Sequence, residues 1–348
     1  MSTRPVRVAV VGLGYWGPNL VRNLVELECA EVVRVCDARA EQLTPFVRRY
    51  PTIRASTHFA DVVEDERVDA IVIATPVATH HKLASLALRG GKHVFVEKPL
   101  AASSAEAREL IALADERDLV LMPGHTFLYS PPVVFIRELI EAGDLGQLYF
   151  ISTSRVNLGL HQPDVSVAWD LGPHDFSILR YWLDESPTTV SAMSRDCVIP
   201  GTPDVAFINL AYPSGTIAHI ELAWLAPSKL RRTAVVGSER MVVYDDTSTE
   251  PVRVFNSGAT LRDPESFGEY QLSYRTGDIV SPRVEVVEPL FRQMEDFCRA
   301  VRDGCEPRSS ATIGLEVVQT IEMVDRSLEL GGAPVALDVW SRAGDLVS

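Results

Sequence analysis

A short apolar stretch at residues 6–11 runs directly into a glycine-rich loop at residues 12–17, whose sequence is Gly-Leu-Gly-Tyr-Trp-Gly. Apolar residues at helical spacing then predict a helix after the loop. In this order of strand, loop and helix, Gly12 permits a tight turn, Gly14 lets the backbone approach a pyrophosphate, and Gly17 allows the helix to pack closely on the strand. The N-terminal part of the chain is therefore predicted to contain a dinucleotide-binding βαβ unit.

An acidic residue, Asp37, ends a second predicted strand at residues 31–36. A carboxylate at this position can accept hydrogen bonds from both hydroxyls of an adenosine ribose, and it would repel a 2′-phosphate. Two unit charges about 4 Å apart repel each other by roughly 4 kcal/mol at an effective dielectric constant near 20. We therefore expect NAD rather than NADP as the cofactor. Two alternatives stay open, since Arg39 could accommodate a 2′-phosphate and Asp37 could instead cap a helix.

Predicted strands and helices alternate through the first third of the chain. Apolar runs at residues 68–74, 93–98 and 119–122 predict buried strands, with helices of about ten residues between them. This alternation is typical of a doubly wound parallel sheet with the Rossmann fold. The length of 348 residues leaves room for a second domain. We predict an α/β protein with a Rossmann domain at residues 1–125 and an α+β domain at residues 126–348.

Several polar residues stand at the carboxyl ends of these predicted strands, where open α/β sheets bind their ligands. We predict that Lys98 lies where a cofactor half and a substrate half of the site meet. The alternatives are a solvated ion pair between Glu97 and Lys98 and, for His80, a purely structural role. The residues at these strand ends are Thr75, Pro76, His80, Glu97 and Lys98.

The second half of the chain contains more predicted strands than helices. Two apolar runs at residues 205–212 and 216–224 flank a Pro-Ser-Gly turn, and a second hairpin surrounds Gly237. We therefore predict a large open antiparallel sheet, completed by amphipathic helices at residues 289–302 and 312–330. The remaining predictions are a helix at 129–142, a strand at 148–157, a helix with Pro173 in its first turn, and a polar loop near the site at 257–283.

Asp170 and His174 are four residues apart at the start of that predicted helix, so both side chains can project to one side of it. The helix dipole favours an anion at this position. Spacing alone favours a simpler interpretation, in which Asp170 is the N-cap and His174 is an ordinary residue of the first turn.

Composition excludes several other classes of protein. A formal net charge of −14 disfavours nucleic acid as a partner. The five cysteines are few and never form a Cys-x-x-Cys pair, and the histidines form no cluster at metal spacing, so we predict neither a disulfide framework nor a metal site. No apolar run approaches the length of a membrane span or a leader peptide. We expect a cytoplasmic protein that binds small molecules and no membrane.

Three segments of the chain resemble the Gfo/Idh/MocA oxidoreductases. They are residues 10–17, residues 74–76 together with His80, and residues 91–100, which read Gly-Lys-His-Val-Phe-Val-Glu-Lys-Pro-Leu. The resemblance implies that Lys98 is catalytic, that Thr75, Pro76, His80 and Glu97 line the nicotinamide side, and that the Lys98–Pro99 bond is cis. The cofactor-binding residues that we predict are Gly12, Gly14, Tyr15, Trp16, Gly17, Asp37, Thr75, Pro76, His80, Glu97, Lys98 and Trp169.

The resemblance extends to the Asp-x-x-x-His spacing of Asp170 and His174. In the family such a pair faces the catalytic lysine, with the histidine as general base and the aspartate orienting the substrate. Residues 157–175 resemble the branch that oxidises C3 of UDP-linked N-acetylhexosamines and related nucleotide sugars. Phe127 and Leu128 replace arginines that the family often carries there. The substrate-binding residues that we predict are Lys98, His125, Arg155, Asn157, Asp170 and His174.

The expected reaction is hydride transfer from a sugar carbinol carbon to NAD⁺, and the resemblance implies a homodimer or homotetramer formed through the C-terminal sheet. One alternative is an NADPH-linked 3-ketoreductase of dTDP-deoxysugars, and another is an inositol or polyol dehydrogenase. A third alternative is a sensor that binds a dinucleotide without chemistry. Retention of Lys98, Asp170 and His174 together argues against the sensor.

Overall fold

The predicted βαβ pattern at the N-terminus folds into a parallel sheet covered by helices. A computed structural model describes residues 4–159, 165–262 and 271–337 of the chain. The elements of the first part are β1 (Val6–Val11), α1 (Gly17–Glu26), β2 (Ala30–Cys36), α2 (Ala40–Arg49), β3 (Arg54–Ser56), α3 (Ala60–Val63), β4 (Ala70–Ile73), α4 (His80–Arg89), β5 (His93–Glu97), α5 (Ser104–Glu116) and β6 (Leu121–Gly124).

These strands form one parallel sheet in the order β3-β2-β1-β4-β5-β6. The order reverses direction beside β1, which is the switch point at which such sheets bind their ligands. The central strands β1 and β4 are apolar along nearly their whole length, and their side chains are buried on both faces. The Rossmann prediction for the first part of the chain is confirmed.

The second part of the chain is dominated by strands, as the sequence predicts. Its elements are α6 (Pro131–Glu141), β7 (Leu148–Leu158), α7 (Val167–Leu183), β8 (Thr189–Arg195), β9 (Val205–Ala211), β10 (Ile217–Ala223), β11 (Leu225–Gly237), β12 (Met241–Asp245), β13 (Val252–Phe255), β14 (Gly258–Arg262), β15 (Gln271–Arg275), β16 (Ile279–Val280), α8 (Pro289–Asp303), α9 (Ala311–Glu329) and β17 (Val335–Ala336).

The large sheet of this part has the order β16-β13-β12-β11-β7-β10-β9-β8-β17. It is mixed, because β10 pairs with β7 in parallel while the other pairs are antiparallel. The predicted alternation along β10 is confirmed, since Ala218, Ile220 and Leu222 are buried, whereas His219 is exposed and Glu221 is partly exposed. The parallel pair departs from the antiparallel prediction, because alternation identifies the buried face of a strand but not the direction of its neighbour.

The chain divides into two compact units, and the division differs from the predicted boundary at residue 125. The first unit contains residues 1–130 and 287–319, and the second contains residues 131–286 and 320–348. We expected α8 to complete the second domain, but α8 lies in the first unit, where Phe297 packs on Phe95 of β5 with ring centroids 5.8 Å apart. An amphipathic pattern predicts that a helix buries one face, but it does not specify the partner.

Two further local predictions need correction. Pro173 lies inside α7 rather than in its first turn, because the helix begins at Val167 and Ser166 is its N-cap. The segment at residues 257–283 was predicted as a polar loop, but its described part contains β14 and β15, which pair with each other. Residues 160–164 of the string that resembles the nucleotide-sugar branch, and residues 263–270 of the loop, lie outside the described residues.

Within the described ranges, no helix has the length and apolar character that crossing a membrane requires. The same ranges contain no group of three or more histidine, cysteine, aspartate or glutamate side chains that could hold a metal ion.

Candidate active site

The glycine loop between β1 and α1 has the geometry that a dinucleotide requires. Gly12 has φ +90°, and a Cβ on it would collide with the carbonyl group of Ala74. A Cβ on Gly17 would collide with the carbonyl oxygen of Gly12, so α1 can start this close to the strand only with glycine there. The first turn of α1 supplies backbone amides and a positive dipole end, which suit a diphosphate. The residues present therefore fit the phosphate portion of a dinucleotide.

Asp37 follows β2 beside this loop and is held by the backbone. Its Oδ2 accepts a hydrogen bond of 2.8 Å from the amide of Leu13, and its Oδ1 accepts one of 2.9 Å from the amide of Arg39. Burial alone raises the pKa of Asp37, but these hydrogen bonds outweigh burial and hold the pKa below its ordinary value. The N-cap of α2 is Arg39 rather than Asp37. An ionised carboxylate is thus presented where an adenosine ribose is expected.

Arg39 and two aromatic residues border the same loop. The Arg39 guanidinium bonds Asp37 Oδ1 through Nε at 3.3 Å, and its Nη2 lies 4.0 Å from the position that a Cβ on Gly14 would take. Tyr15 and Trp16 stack edge to face with centroids 5.4 Å apart and are 78% and 43% exposed. Such exposed aromatic rings beside a glycine loop provide surface that a bound nucleotide can cover.

His80 at the start of α4 bonds backbone atoms of two neighbouring loops. Its Nδ1 lies 2.9 Å from the carbonyl oxygen of Pro99, and its Nε2 lies 2.8 Å from the carbonyl oxygen of Thr75. The side chain is almost fully buried, and burial lowers the pKa of His80 while the two carbonyl groups oppose that effect. These contacts support a bracing role for His80, and its predicted place beside the nicotinamide stays a prediction.

Glu97 and Lys98 stand at the carboxyl end of β5. Glu97 is buried, and burial raises its pKa to about 7, partly opposed by the charge of Lys98. Its Oε2 accepts a hydrogen bond of 3.2 Å from the backbone amide of Lys98. The Lys98–Pro99 bond is cis, as the resemblance implied. A carboxyl group that is half protonated near neutral pH therefore lies directly beside the predicted catalytic lysine.

His125 follows β6, the strand next to β5. In the sheet register Glu97 pairs with Gly124, which places His125 one residue beyond that pair. The imidazole is fully buried, and neither ring nitrogen has a hydrogen-bond partner among the described residues. Burial, together with the charge of Lys98, lowers the pKa of His125 to about 3, so the ring is neutral. Glu97, Lys98 and His125 thus form one group at this edge of the first unit.

Asp170 and His174 both lie in α7 of the second unit. Ser166 caps the helix by accepting from the amide of Trp169, so Asp170 falls in the first turn and is not the N-cap. Its Oδ2 accepts a hydrogen bond of 3.1 Å from Nε1 of Trp224, and no sequence pattern predicts this contact. The approach of Asp170 and His174 to Lys98 stays a prediction, because the two groups belong to different units.

The other predicted residues of the second unit have mostly structural contacts. Trp169 donates from Nε1 to Asp325 Oδ2 at 2.7 Å. Arg155 is buried on β7 and forms an ion pair of 2.6 Å with Asp175 of α7, which anchors the helix to the strand. Asn157 lies two residues further along β7 and is partly buried. The predicted contacts of these side chains with cofactor or substrate stay predictions.

Comparison with known protein families decides the classification. A family model described as an oxidoreductase family with an NAD-binding Rossmann fold matches residues 6–125, and a model of the GFO/IDH/MocA C-terminal domain matches residues 133–243. The chain belongs to the Gfo/Idh/MocA family of oxidoreductases. Its first unit accordingly contains the NAD-binding Rossmann domain of that family, and the resemblance seen in the sequence is confirmed at the level of the family.

Curated members of the Gfo/Idh/MocA family are similar over nearly the whole chain. A 4-carboxy-2-hydroxymuconate-6-semialdehyde dehydrogenase from Sphingobium is 31% identical over 94% of this chain and 100% of its own length. A scyllo-inositol 2-dehydrogenase (NAD(+)) from Bacillus subtilis is 27% identical over 96% and 97%. These relatives act on different substrates, so membership of the family does not specify the substrate.

A solved structure has a similar fold. A crystal structure of GenD2 from gentamicin A biosynthesis, in complex with NAD, superposes with a TM-score of 0.82 at 25% identity and covers 97% of both chains. The NAD cofactor predicted from the glycine loop and Asp37 therefore agrees with the family to which the chain belongs.

Proposed function

We propose that this Gfo/Idh/MocA oxidoreductase transfers a hydride between a carbinol carbon of a sugar or polyol and nicotinamide. The observation that carries the proposal is the group at the carboxyl edge of the parallel sheet, where Lys98 follows a buried Glu97 with a pKa of about 7. The glycine loop and the ionised Asp37 stand at the same edge of that sheet. A cationic amine in such a place can stabilise the negative charge that develops on a reacting oxygen.

NAD⁺, when bound, supplies the acceptor for the hydride. The amides of residues 12–17 and of the first turn of α1 would hold its diphosphate, and Asp37 would accept from its ribose hydroxyls. Thr75, Pro76 and Glu97 would border its nicotinamide end. Tyr15, Trp16 and Trp169 are the aromatic residues that we propose as further cofactor contacts.

The second unit would supply the proton chemistry. His174 would accept the proton of the reacting hydroxyl, since an imidazole titrates near neutral pH and general-base catalysis contributes about 10²–10⁴ in rate. Lys98 would hydrogen-bond the same oxygen, and Asp170 would hold a neighbouring hydroxyl. His125, Arg155 and Asn157 complete the proposed substrate-binding set.

For the substrate we propose C3 of a nucleotide-linked hexose or hexosamine, on the strength of the string at residues 157–175. A free inositol or polyol is the second candidate, favoured by the similarity to scyllo-inositol 2-dehydrogenase. An NADPH-linked 3-ketoreductase of dTDP-deoxysugars is a third candidate, because Arg39 stands beside Gly14 where a 2′-phosphate could reach it.

A panel assay separates these candidates. Absorbance at 340 nm would be followed with NAD⁺ or NADP⁺ and UDP-N-acetylglucosamine, dTDP-glucose, myo-inositol, scyllo-inositol or an aldehyde substrate. We expect turnover with NAD⁺ and a UDP-sugar. Turnover with inositols alone would identify a free polyol, rather than a nucleotide sugar, as the substrate. Turnover with the aldehyde alone would overturn the proposal that the hydride comes from a carbinol carbon. Silence across the panel, together with a thermal shift caused by NAD⁺, would instead support a dinucleotide-binding sensor.

We also propose that the chain assembles into a homodimer or homotetramer through the outer face of the large sheet. Phe150, Phe207 and Ile217 lie on that face and are 42%, 43% and 58% exposed, which leaves apolar surface that a second copy could cover. Light scattering during size-exclusion chromatography measures the mass directly, and a monomeric mass would contradict this proposal.

A further inference from the structure

Trp224 connects β10 to β11 in the second unit and contacts a residue that we place in the catalytic group. Its side chain is 1% exposed, and its Nε1 donates a hydrogen bond of 3.1 Å to Oδ2 of Asp170. An indole N–H can only donate, so a carboxylate is a suitable acceptor for it. Hydrogen bonds to a charged acceptor are stronger than those between neutral groups. The contact therefore restrains how the Asp170 carboxylate is oriented.

The main chain of Trp224 is held by hydrogen bonds to two other backbone segments. The amide of Trp224 donates to the carbonyl oxygen of Asp204 at 2.9 Å, and its own carbonyl oxygen accepts from the amide of Gly159 at 2.9 Å. Gly159 also approaches the ring closely, because a Cβ there would stand 2.7 Å from Cδ1 of the indole. Asp204 is fully buried and accepts hydrogen bonds from the amides of Cys197 and Val198. Main-chain hydrogen bonds, burial and the close approach of Gly159 thus restrict the positions that the Trp224 indole can take.

We propose that Trp224 is a positioning residue that fixes the orientation in which Asp170 meets the substrate. The proposal rests on the function proposed above, in which Asp170 holds a hydroxyl of the substrate. A carboxylate in the first turn of a helix can rotate about its side-chain bonds, and each rotamer presents a different oxygen. Because the indole holds Oδ2, rotation of the carboxylate is restricted before the substrate arrives. Such preorganisation raises kcat more than it changes the binding of the cofactor.

The second unit offers a matched control. Trp182 is also 1% exposed, and its Nε1 donates a hydrogen bond of 2.9 Å to the carbonyl oxygen of Val133. That backbone atom takes no part in the proposed chemistry. Replacing either tryptophan with phenylalanine removes one buried indole N–H and keeps an aromatic ring. A loss of kcat that follows from general destabilisation should therefore appear in both variants, whereas a loss through Asp170 should appear only in Trp224→Phe.

The test uses the full chain with NAD⁺ and the panel substrate that gives the highest turnover. We expect Trp224→Phe to lower kcat about 10- to 100-fold, the effect of one hydrogen bond to a charged group, with little change in KM for NAD⁺. Trp182→Phe should keep kcat within about twofold. In the Asp170→Ala background, adding Trp224→Phe should lower kcat no further, because the carboxylate through which Trp224 acts is already absent.

Wild-type kcat in Trp224→Phe would overturn the proposal, and so would an equal additional loss in the Asp170→Ala background. If Trp224→Phe does not fold, Gly159→Ala serves as the second variant. Its added Cβ displaces the indole ring, while Trp224 and Asp170 are both retained. That variant should lower kcat as well, and unchanged kcat would count against the proposal.

A wild-type protein that turns over no substrate in the panel would contradict the proposed function instead. In that case the coupling of residues 170 and 224 is measured from the unfolding free energies of the same four proteins, and strictly additive values would overturn the contact itself.

Discussion

His80 and Pro99 are joined by a hydrogen bond of 2.9 Å between the imidazole Nδ1 and the Pro99 carbonyl oxygen, while Nε2 faces the carbonyl oxygen of Thr75 at 2.8 Å. Both partners are acceptors, so a neutral imidazole can donate to only one of them and an imidazolium to both. Pro99 directly follows Lys98. These two hydrogen bonds, which we call the brace, therefore tie the His80 ring to the loop that carries the proposed catalytic Lys98.

Replacement of His80 tests this brace. We expect His80→Ala to lower kcat by about tenfold or more, since misplacement of a catalytic group by 1 Å can cost about 10²-fold in rate. The matched control is His81→Ala, since His81 is only partly buried and pairs with the carboxylate of Glu109. Initial rates at 340 nm with saturating NAD⁺ compare the two. Equal initial rates in His80→Ala and His81→Ala would show that the hydrogen bonds of His80 to Thr75 and Pro99 are dispensable for catalysis.

Asp37 is predicted to determine the preference for NAD. Asp37→Ala removes the proposed ribose acceptor and the contact with the Leu13 amide, so we expect the Kd for NAD⁺ to rise about 10- to 100-fold. The Kd for NADP⁺ should rise less or fall, because the repulsion of a 2′-phosphate disappears. Isothermal titration with both cofactors measures this change. Arg39→Ala is the companion variant and should raise the Kd for NADP⁺ more than the Kd for NAD⁺. The opposite order would show that Arg39 does not bind the 2′-phosphate.

The raised pKa of Glu97 predicts a pH dependence of stability. The folded state binds the Glu97 proton more tightly than the unfolded chain does, so this contribution is fully present below the ordinary pKa of 4.5 and is lost as pH rises through about 7. Glu97→Gln keeps a neutral side chain at every pH. Relative to wild type, its free energy of unfolding should therefore increase by up to about 3 kcal/mol between pH 4.5 and pH 8. Urea unfolding at several pH values measures the difference, and a difference that is constant with pH would contradict the assignment.

The buried pair of Arg155 and Asp175 should dominate the stability of the second unit. Asp175→Ala removes the carboxylate that pairs with the buried Arg155 guanidinium, and breaking such a pair costs about 3–5 kcal/mol. The control is Glu329→Ala, which breaks the exposed pair with Arg326 and should leave the midpoint of unfolding unchanged. Chemical denaturation of both variants makes the comparison. Similar midpoints in the two would indicate that Arg155 is solvated and available to a substrate.

The first unit could be predicted from sequence because its signals are local. The strand, the glycine loop and Asp37 lie within a short span, and each needs a particular residue type for a steric or electrostatic reason. The approach of Gly17 to the carbonyl group of Gly12 is an example, since no other residue type fits there. The role of Thr75 and Pro99 as acceptors for His80 was missed, because a backbone carbonyl leaves no mark in the sequence.

The second unit was predicted less completely because its decisive contacts are non-local. Trp224 reaches Asp170 across 54 positions of the chain, and no periodicity links the two. The direction in which β7 and β10 pair is also invisible in the patterns of the two strands. The same holds for α8, whose amphipathic pattern gives no sign that it packs in the first unit. Pro173 was misplaced because a proline at the first turn is the common case, whereas here Ser166 caps the helix earlier.

Replacement of Lys98 tests whether its amine carries out the proposed catalysis. Isothermal titration would give the Kd for NAD⁺, and absorbance at 340 nm would give kcat, for wild type, Lys98→Ala and the control Lys82→Ala on the exposed side of α4. We predict that Lys98→Ala lowers kcat by at least about 10²-fold and leaves the Kd for NAD⁺ within about twofold, while Lys82→Ala behaves as wild type. Wild-type kcat in Lys98→Ala would contradict the account.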